Sequence, residues 1–152
     1  MEILIENQQK IIKINQRKVR EVAKKVLQHL KADDKTEVSI LFTDDKFISS
    51  LNNKYRGIDK PTDVLSFSLQ EGADKSPEVE SEKLLGDIII SIETAQRQAD
   101  TLNHSIEKEL WILLIHGLLH LTGYDHEKDQ DYKIMRKKEN EILKTFDLQP
   151  DV

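Results

Sequence analysis

Leu85-Gly86-Asp87-Ile88-Ile89-Ile90-Ser91-Ile92 is the stretch on which the fold turns. Successive side chains of a strand point to opposite faces, and Ile88 to Ile90 are apolar on both. Such a strand is covered on both sides, as a central strand of a helix-covered sheet is. Apolar runs at Ile3 to Ile5, Val38 to Phe42 and Val64 to Leu69 supply its neighbours, alternating with longer segments of helical period. In the last of these runs Leu65, Phe67 and Leu69 share one face while Val64, Ser66 and Ser68 share the other, which suits a sheet edge. The expectation is an α+β fold: one domain over residues 1–152, with a small mixed, mostly parallel sheet covered by helices that dominate the C-terminal half.

The helical segments read outward from that sheet. About Gln16 to Leu30, a 3.6-residue period puts Val19, Val22, Ala23, Val26 and Leu30 on one stripe. The opposite arc carries Arg17, Lys18, Arg20, Lys24, Lys25 and Lys31 against one acid, Glu21. A second helix starts at Asp44 as N-cap, is expected to bury Phe47, Ile48, Leu51 and Tyr55, and stops where Gly57 can take a left-handed conformation. Arg56 is thereby placed at a helix end. A short helix over Glu93 to Leu102 precedes the apolar Leu110 to Leu121, and a last one over Asp129 to Phe146 is expected to turn Tyr132, Met135, Ile142, Leu143 and Phe146 inward. Glu71 to Glu82, polar and carrying Gly72 and Pro77, reads as a mobile loop.

Composition narrows the chemistry. With 38% hydrophobic and 34% charged residues, the 152-residue chain suits an ordinary soluble domain. The absence of Cys excludes disulfides and thiolate metal sites, so a metal must be held by His, carboxylate or water. No secretory signal opens the chain, and Leu110 to Leu121 is too short to span a bilayer, so a cytoplasmic protein with no membrane partner is expected. A net charge of -5 argues against indiscriminate binding of polyanions, leaving local basic surfaces to be read face by face.

Of the five His, three fall within His116-Gly117-Leu118-Leu119-His120-Leu121-Thr122-Gly123-Tyr124-Asp125-His126. At i, i+4 on a helix, the rings of His116 and His120 project from one face and can grip one ion. A reversal at Gly123 would bring His126 back as third ligand. Inside an apolar helix an unpartnered imidazole is costly to bury, so this cluster reads as a metal site. His29 and His104, in polar surroundings without matched spacing, are assigned to the surface. Three imidazoles and an open position describe a catalytic site for one zinc ion per chain, other divalent transition metals being compatible. The spacing is also that of the metzincin proteases, a zincin-like metal helix, but Gly117 stands where their general base, a Glu, would be. Asp87 and Asp125 are weaker candidates for orienting a ligand, and Met135 reads as ordinary core.

Three segments carry a family resemblance: HGLLHLTGYDH at His116 to His126, YRGIDKPTDVLSFS at Tyr55 to Ser68, and GDIIIS at Gly86 to Ser91. The chain resembles the YbeY family of bacterial ribosomal RNA maturation factors over nearly its whole length, departing at Ser68, where the family commonly has Pro. The resemblance implies a single-strand-specific, metal-dependent endoribonuclease, a hydrolase acting at the 3′ end of small-subunit ribosomal RNA and in ribosome quality control. It implies the small ribosomal subunit as partner, with ribosomal proteins or assembly GTPases beside it. It maps the metal ligands onto His116, His120 and His126, and a functionally important Arg onto Arg56. A guanidinium can hold phosphate through two parallel hydrogen bonds, which gives that Arg a physical role; a solvated helix-end Arg favoured by the macrodipole is the plain alternative. Arg20, Lys24 and Lys31, joined by Lys54 and Lys60, are the candidate phosphate contacts. Two other readings stand beside this one: a metalloprotease, favoured by the histidine spacing and an edge strand, and a non-catalytic assembly factor with a structural zinc.

Overall fold

A computed structural model describes residues 1–69, 83–124 and 129–146. In chain order its elements are β1 (Glu2–Asn7), α1 (Gln16–His29), β2 (Thr36–Thr43), α2 (Asp45–Arg56), β3 (Val64–Ser68), β4 (Lys83–Ser91), α3 (Ile92–Leu102), α4 (Ile106–Leu121) and α5 (Asp129–Thr145). The sheet runs β1-β2-β4-β3. β1 with β2 and β2 with β4 are parallel, and β3 returns antiparallel to β4. The doubly apolar segment is thus an interior strand and the half-polar one an edge, as their patterns require. The expected loop over Glu71 to Glu82 lies outside the described residues.

Alternation along the strands separates two faces. Ile3, Val38, Ile40, Phe42, Ile88 and Ile90 pack with the apolar stripes of α1, α3, α4 and α5 in the main core. Leu41, Leu65, Phe67 and Ile89, one residue out of phase, gather with Ile48 and Leu51 of α2 in a second, small cluster. Among the described residues α2 therefore lies on the face opposite to α4. Full burial of a side chain such as Ile88 or Ile90 stabilises the fold by roughly 1.5–3 kcal/mol each, which makes the larger cluster the dominant one.

Helix ends are tied locally. Asn15, Asp44, Ser91 and Ser105 each accept the backbone N–H of the third residue on, capping α1 to α4. Gly57 closes α2 in the left-handed conformation expected of it. Some expectations fail at the margins of the packing. α2 meets the sheet chiefly through Ile48, Leu51 and the buried Asn52, so Phe47 turns outward and Tyr55, although its ring meets Phe67 of β3, stays 58% exposed. Tyr132 is also exposed, one turn before the buried Met135. Met135 itself is core. His104 is not a surface residue: its Nε2 meets Glu109 Oε2 at 2.5 Å, with both side chains buried. Its partner lies in the first turn of the next helix, which a reading of flanking polarity does not reveal. No described helix is long and apolar enough to cross a membrane.

Candidate metal centre

Two glycines set α4 on the sheet. A Cβ at Gly117 would stand 3.0–3.2 Å from three side-chain carbons of Ile88, so this face of the helix is pressed onto β4. At Gly86, φ is +146° and a Cβ would run into the Phe67 carbonyl and come within 3.1 Å of Leu121 Cδ2. Only glycine lets the start of β4, the end of β3 and the last turn of α4 meet there. His116 and His120 each precede one of the sheet-facing positions Gly117 and Leu121, so they are turned about 100° away from the sheet.

There the two rings meet edge to face, centroids 4.7 Å apart, with Nε2 of one 3.1 Å from Nε2 of the other. Two nitrogens bound to one tetrahedral zinc at about 2.0–2.1 Å would be about 3.3 Å apart, so the pair already has the spacing of two ligands. On its far side His116 Nδ1 is 2.7 Å from Glu139 Oε1 of α5. An ionised carboxylate only accepts, so Nδ1 carries the proton and the Nε2 lone pair faces His120. His116 is 32% exposed and Glu139 is 13%, so the pair opens to solvent while its support is covered. The donor set fits a divalent transition ion. Sequence reasoning missed Glu139, although a signal was available: it is the single acid on the inward stripe of Met135, Ile142, Leu143 and Phe146.

After His120 the chain reverses as expected. Gly123 has φ +106°, its N–H reaches the His120 carbonyl, and the Tyr124 N–H reaches that of Leu119. His126 and Asp125 lie outside the described residues, and among those described no group of three His, Cys, Asp or Glu could hold a metal. Asp87 lies opposite Phe67, on the α2 face, away from His116.

Arg56 is the exposed last residue of α2. The neighbouring Tyr55 ring lies 5.1 Å from that of Phe67. Phe67 pairs with Asp87, next to the Gly86 on which Leu121 packs. The ends of α2 and α4 therefore reach the same end of the sheet from opposite faces. The basic candidates divide likewise. Arg20 and Lys24, both half-buried, and the exposed Lys31 belong to α1 and its end, whereas Lys54 and Lys60 accompany α2 across the sheet. Lys25 of the same arc pairs with Glu21 at 3.3 Å and lies over Phe146. The five candidates thus do not share one helix face.

The other end of α2 is anchored by Asp45, whose Oδ1 accepts from Ser91 Oγ and Thr94 Oγ1, each at 2.6 Å, and whose Oδ2 meets Arg97 at 2.8 Å. Burial works against its charge, but the two hydroxyls and the Arg97 guanidinium outweigh it and hold the carboxyl below its ordinary value.

Comparison with known proteins identifies the family. The family model described as Endoribonuclease YbeY matches residues 4–147. A relative named Endoribonuclease YbeY from Desulforamulus reducens is 47% identical, covering 94% of this chain and 95% of its own length. One of the same name from Thermoanaerobacter pseudethanolicus is 48% identical, covering 94% and 96%. The solution structure of TM1509 from Thermotoga maritima aligns with a TM-score of 0.59 at 26% identity, covering 95% of this chain and 91% of that one. By the extent of these matches, the chain belongs to the Endoribonuclease YbeY family.

Proposed function

We propose that this protein is a single-domain, metal-dependent endoribonuclease that cleaves single-stranded RNA in the cytoplasm during maturation of the 3′ end of small-subunit ribosomal RNA. The observation that carries the reading is the facing Nε2 pair of His116 and His120, with the far nitrogen of His116 held by Glu139. Its relatives' name, Endoribonuclease YbeY, supplies the reaction class. His116 and His120 would hold the ion, zinc by preference, with His126 as the third ligand. When bound, the ion supplies an activated water at neutral pH and polarisation of a phosphoryl oxygen.

The chain's own residues do the rest. Glu139 fixes the tautomer and orientation of His116, so that a lone pair is presented without reorganisation. Gly117 offers no carboxylate, and a Glu there would have to displace Ile88, so the base of a metzincin-type protease has no place on this helix. That disfavours the protease reading. Arg56, permanently charged, binds phosphate and steadies the charge that develops on it, but cannot act as a base. Arg20, Lys24 and Lys31 on one side and Lys54 and Lys60 on the other would contact the RNA backbone, and the small ribosomal subunit, with ribosomal proteins or an assembly GTPase, would present the substrate.

The test is to incubate zinc-loaded protein and a His116→Ala variant with small-subunit ribosomal RNA and, separately, with an unfolded protein, and to analyse the products. RNA cleavage by the parent, lost in the variant, is expected. Cleavage of the polypeptide would favour the protease, and binding without cleavage would leave an assembly factor with a structural ion.

A further inference from the structure

We propose that Tyr55 and Phe67, flanked by Lys54 and Arg56, form a platform on which one unpaired base of the RNA stacks beside the cleavage site. The proposal rests on the RNA-cleaving reading above and names how that substrate is gripped. Tyr55 is 58% exposed, at the end of a helix whose other apolar contacts are with the sheet. Its ring meets Phe67 at a tilt of 60° with centroids 5.1 Å apart, and Phe67 is in turn fixed in the cluster of Ile48, Leu65 and Ile89. An exposed aromatic ring braced by a second, anchored one is held in place before any ligand arrives, which lowers the ordering cost of binding.

The charges around it identify the ligand. Lys54 places its ammonium 5.1 Å from the centroid of the Tyr55 ring, and Arg56 follows on the same helical turn. Cations interleaved with aromatic side chains are the arrangement that binds single-stranded nucleic acid, the ring taking a base and the cations the phosphates on either side. Lys54 does not block the site. An exposed ammonium on a ring is held more weakly than a stacked base, so the base displaces it, and the freed ammonium meets a phosphate. A protein-docking surface would not need one cation over the ring and a second next to it in the chain. The platform also lies at the end of the sheet that α4 reaches from the other face, where Gly86 admits both Phe67 and Leu121. Tyr55 and the last turn of the histidine-bearing helix thus converge on one end of the sheet.

The experiment uses zinc-loaded full-length protein and a short single-stranded RNA in which one adenine is replaced by fluorescent 2-aminopurine. Both quenching of the probe, which reports stacking, and steady-state cleavage are followed. Tyr55→Ala is expected to abolish the quenching and raise KM roughly tenfold with kcat little changed. Tyr55→Phe and Tyr55→Trp should behave as the parent. Tyr55→Leu keeps apolar bulk over Phe67 but has no π face, and should fail as Tyr55→Ala does while melting like the parent. If Tyr55→Leu binds as well as Tyr55→Phe, or Tyr55→Ala as well as the parent, the platform is overturned while the nuclease reading stands. A parent that quenches the probe but cleaves no RNA overturns the nuclease reading and leaves the platform. A parent that does neither overturns both.

Discussion

His116 stands between two partners, with Glu139 2.7 Å from its Nδ1 and His120 3.1 Å from its Nε2. The first contact settles what the second can do. Because a carboxylate holds the Nδ1 proton, the nitrogen facing His120 carries the lone pair that a metal requires, and rotation of the ring is restrained from α5.

With His116 as the proposed ligand, Glu139 should act as the residue that positions it. Replacing it with Ala is expected to weaken zinc binding by about 10–100-fold, while Gln, which can still accept the Nδ1 proton, should weaken it less. Competition with a chromophoric chelator gives the affinities, and thermal melting of the zinc-free proteins checks the fold. An Ala variant that binds zinc like the parent would remove Glu139 from the site.

Gly117 is expected to be intolerant of any side chain. Ala gains about 1 kcal/mol in helix propensity over Gly, but its Cβ would crowd a buried, β-branched Ile88 at 3.0–3.2 Å, and overpacking costs about 1–3 kcal/mol. The net expectation is a loss of about 1 kcal/mol for Gly117→Ala, read from urea unfolding. Gly117→Glu, which restores the protease motif on paper, must bury a carboxylate against β4 and should fail to fold rather than gain proteolytic activity. A well-folded Glu variant would contradict the packing described.

Asp45 gives the fold a pH dependence with a definite sign. Its folded-state carboxyl lies below the ordinary 3.8, so the stability that it contributes is fully present above about pH 3.8 and is lost as pH falls through the lower folded value. The guanidinium of Arg97 is largely exposed and adds little, so the two hydroxyl hydrogen bonds carry most of the effect. Asp45→Ala should cost about 2 kcal/mol at neutral pH, a fall of roughly 4–8 °C in Tm. The gap between parent and variant should then narrow at acid pH. A gap that stays constant down to pH 2 would show that the anchor is not the ionised carboxylate.

Much of this was legible in the chain because it depends on local rules. Ile88-Ile89-Ile90 forces an interior strand, Asp44 and Gly57 bracket a helix, and the i, i+4 spacing of His116 and His120 puts two rings on one side. What was hidden depends on packing between distant segments. Glu139 meets His116 across 23 positions and Asp45 meets Ser91 across 46; the helical period can mark Glu139 as inward-facing, but no local pattern names either partner. Tyr55 looked like core because helical period marks a stripe without saying how far along it the sheet extends. His104 looked exposed because its partner, Glu109, belongs to the next helix. The two-sided placement of the basic residues followed only once β4 separated α1 from α2.

The placement of Arg56 allows the last and most direct test of the division of labour. Arg56 ends α2 on one face of the sheet, and the histidines sit on a helix of the other, so a substrate that engages both must wrap the end where β3 and β4 meet. Across such a gap a guanidinium has two advantages over an ammonium: it grips a phosphate with two parallel hydrogen bonds, and its plane fixes the direction of the strand it holds. Arg56→Lys keeps the charge and loses both. Because the side chain is exposed, the variant should melt within about 1 kcal/mol of the parent and retain its zinc, yet lose most of its RNA cleavage. Arg56→Glu should be slower still, since it repels the phosphate. Cleavage rates on one defined RNA, measured beside zinc content and thermal melting, separate these effects. If Arg56→Lys cleaves like the parent, a point charge suffices and the two-pronged contact is wrong; if its defect follows lost zinc or lost stability, Arg56 serves the fold instead of the reaction.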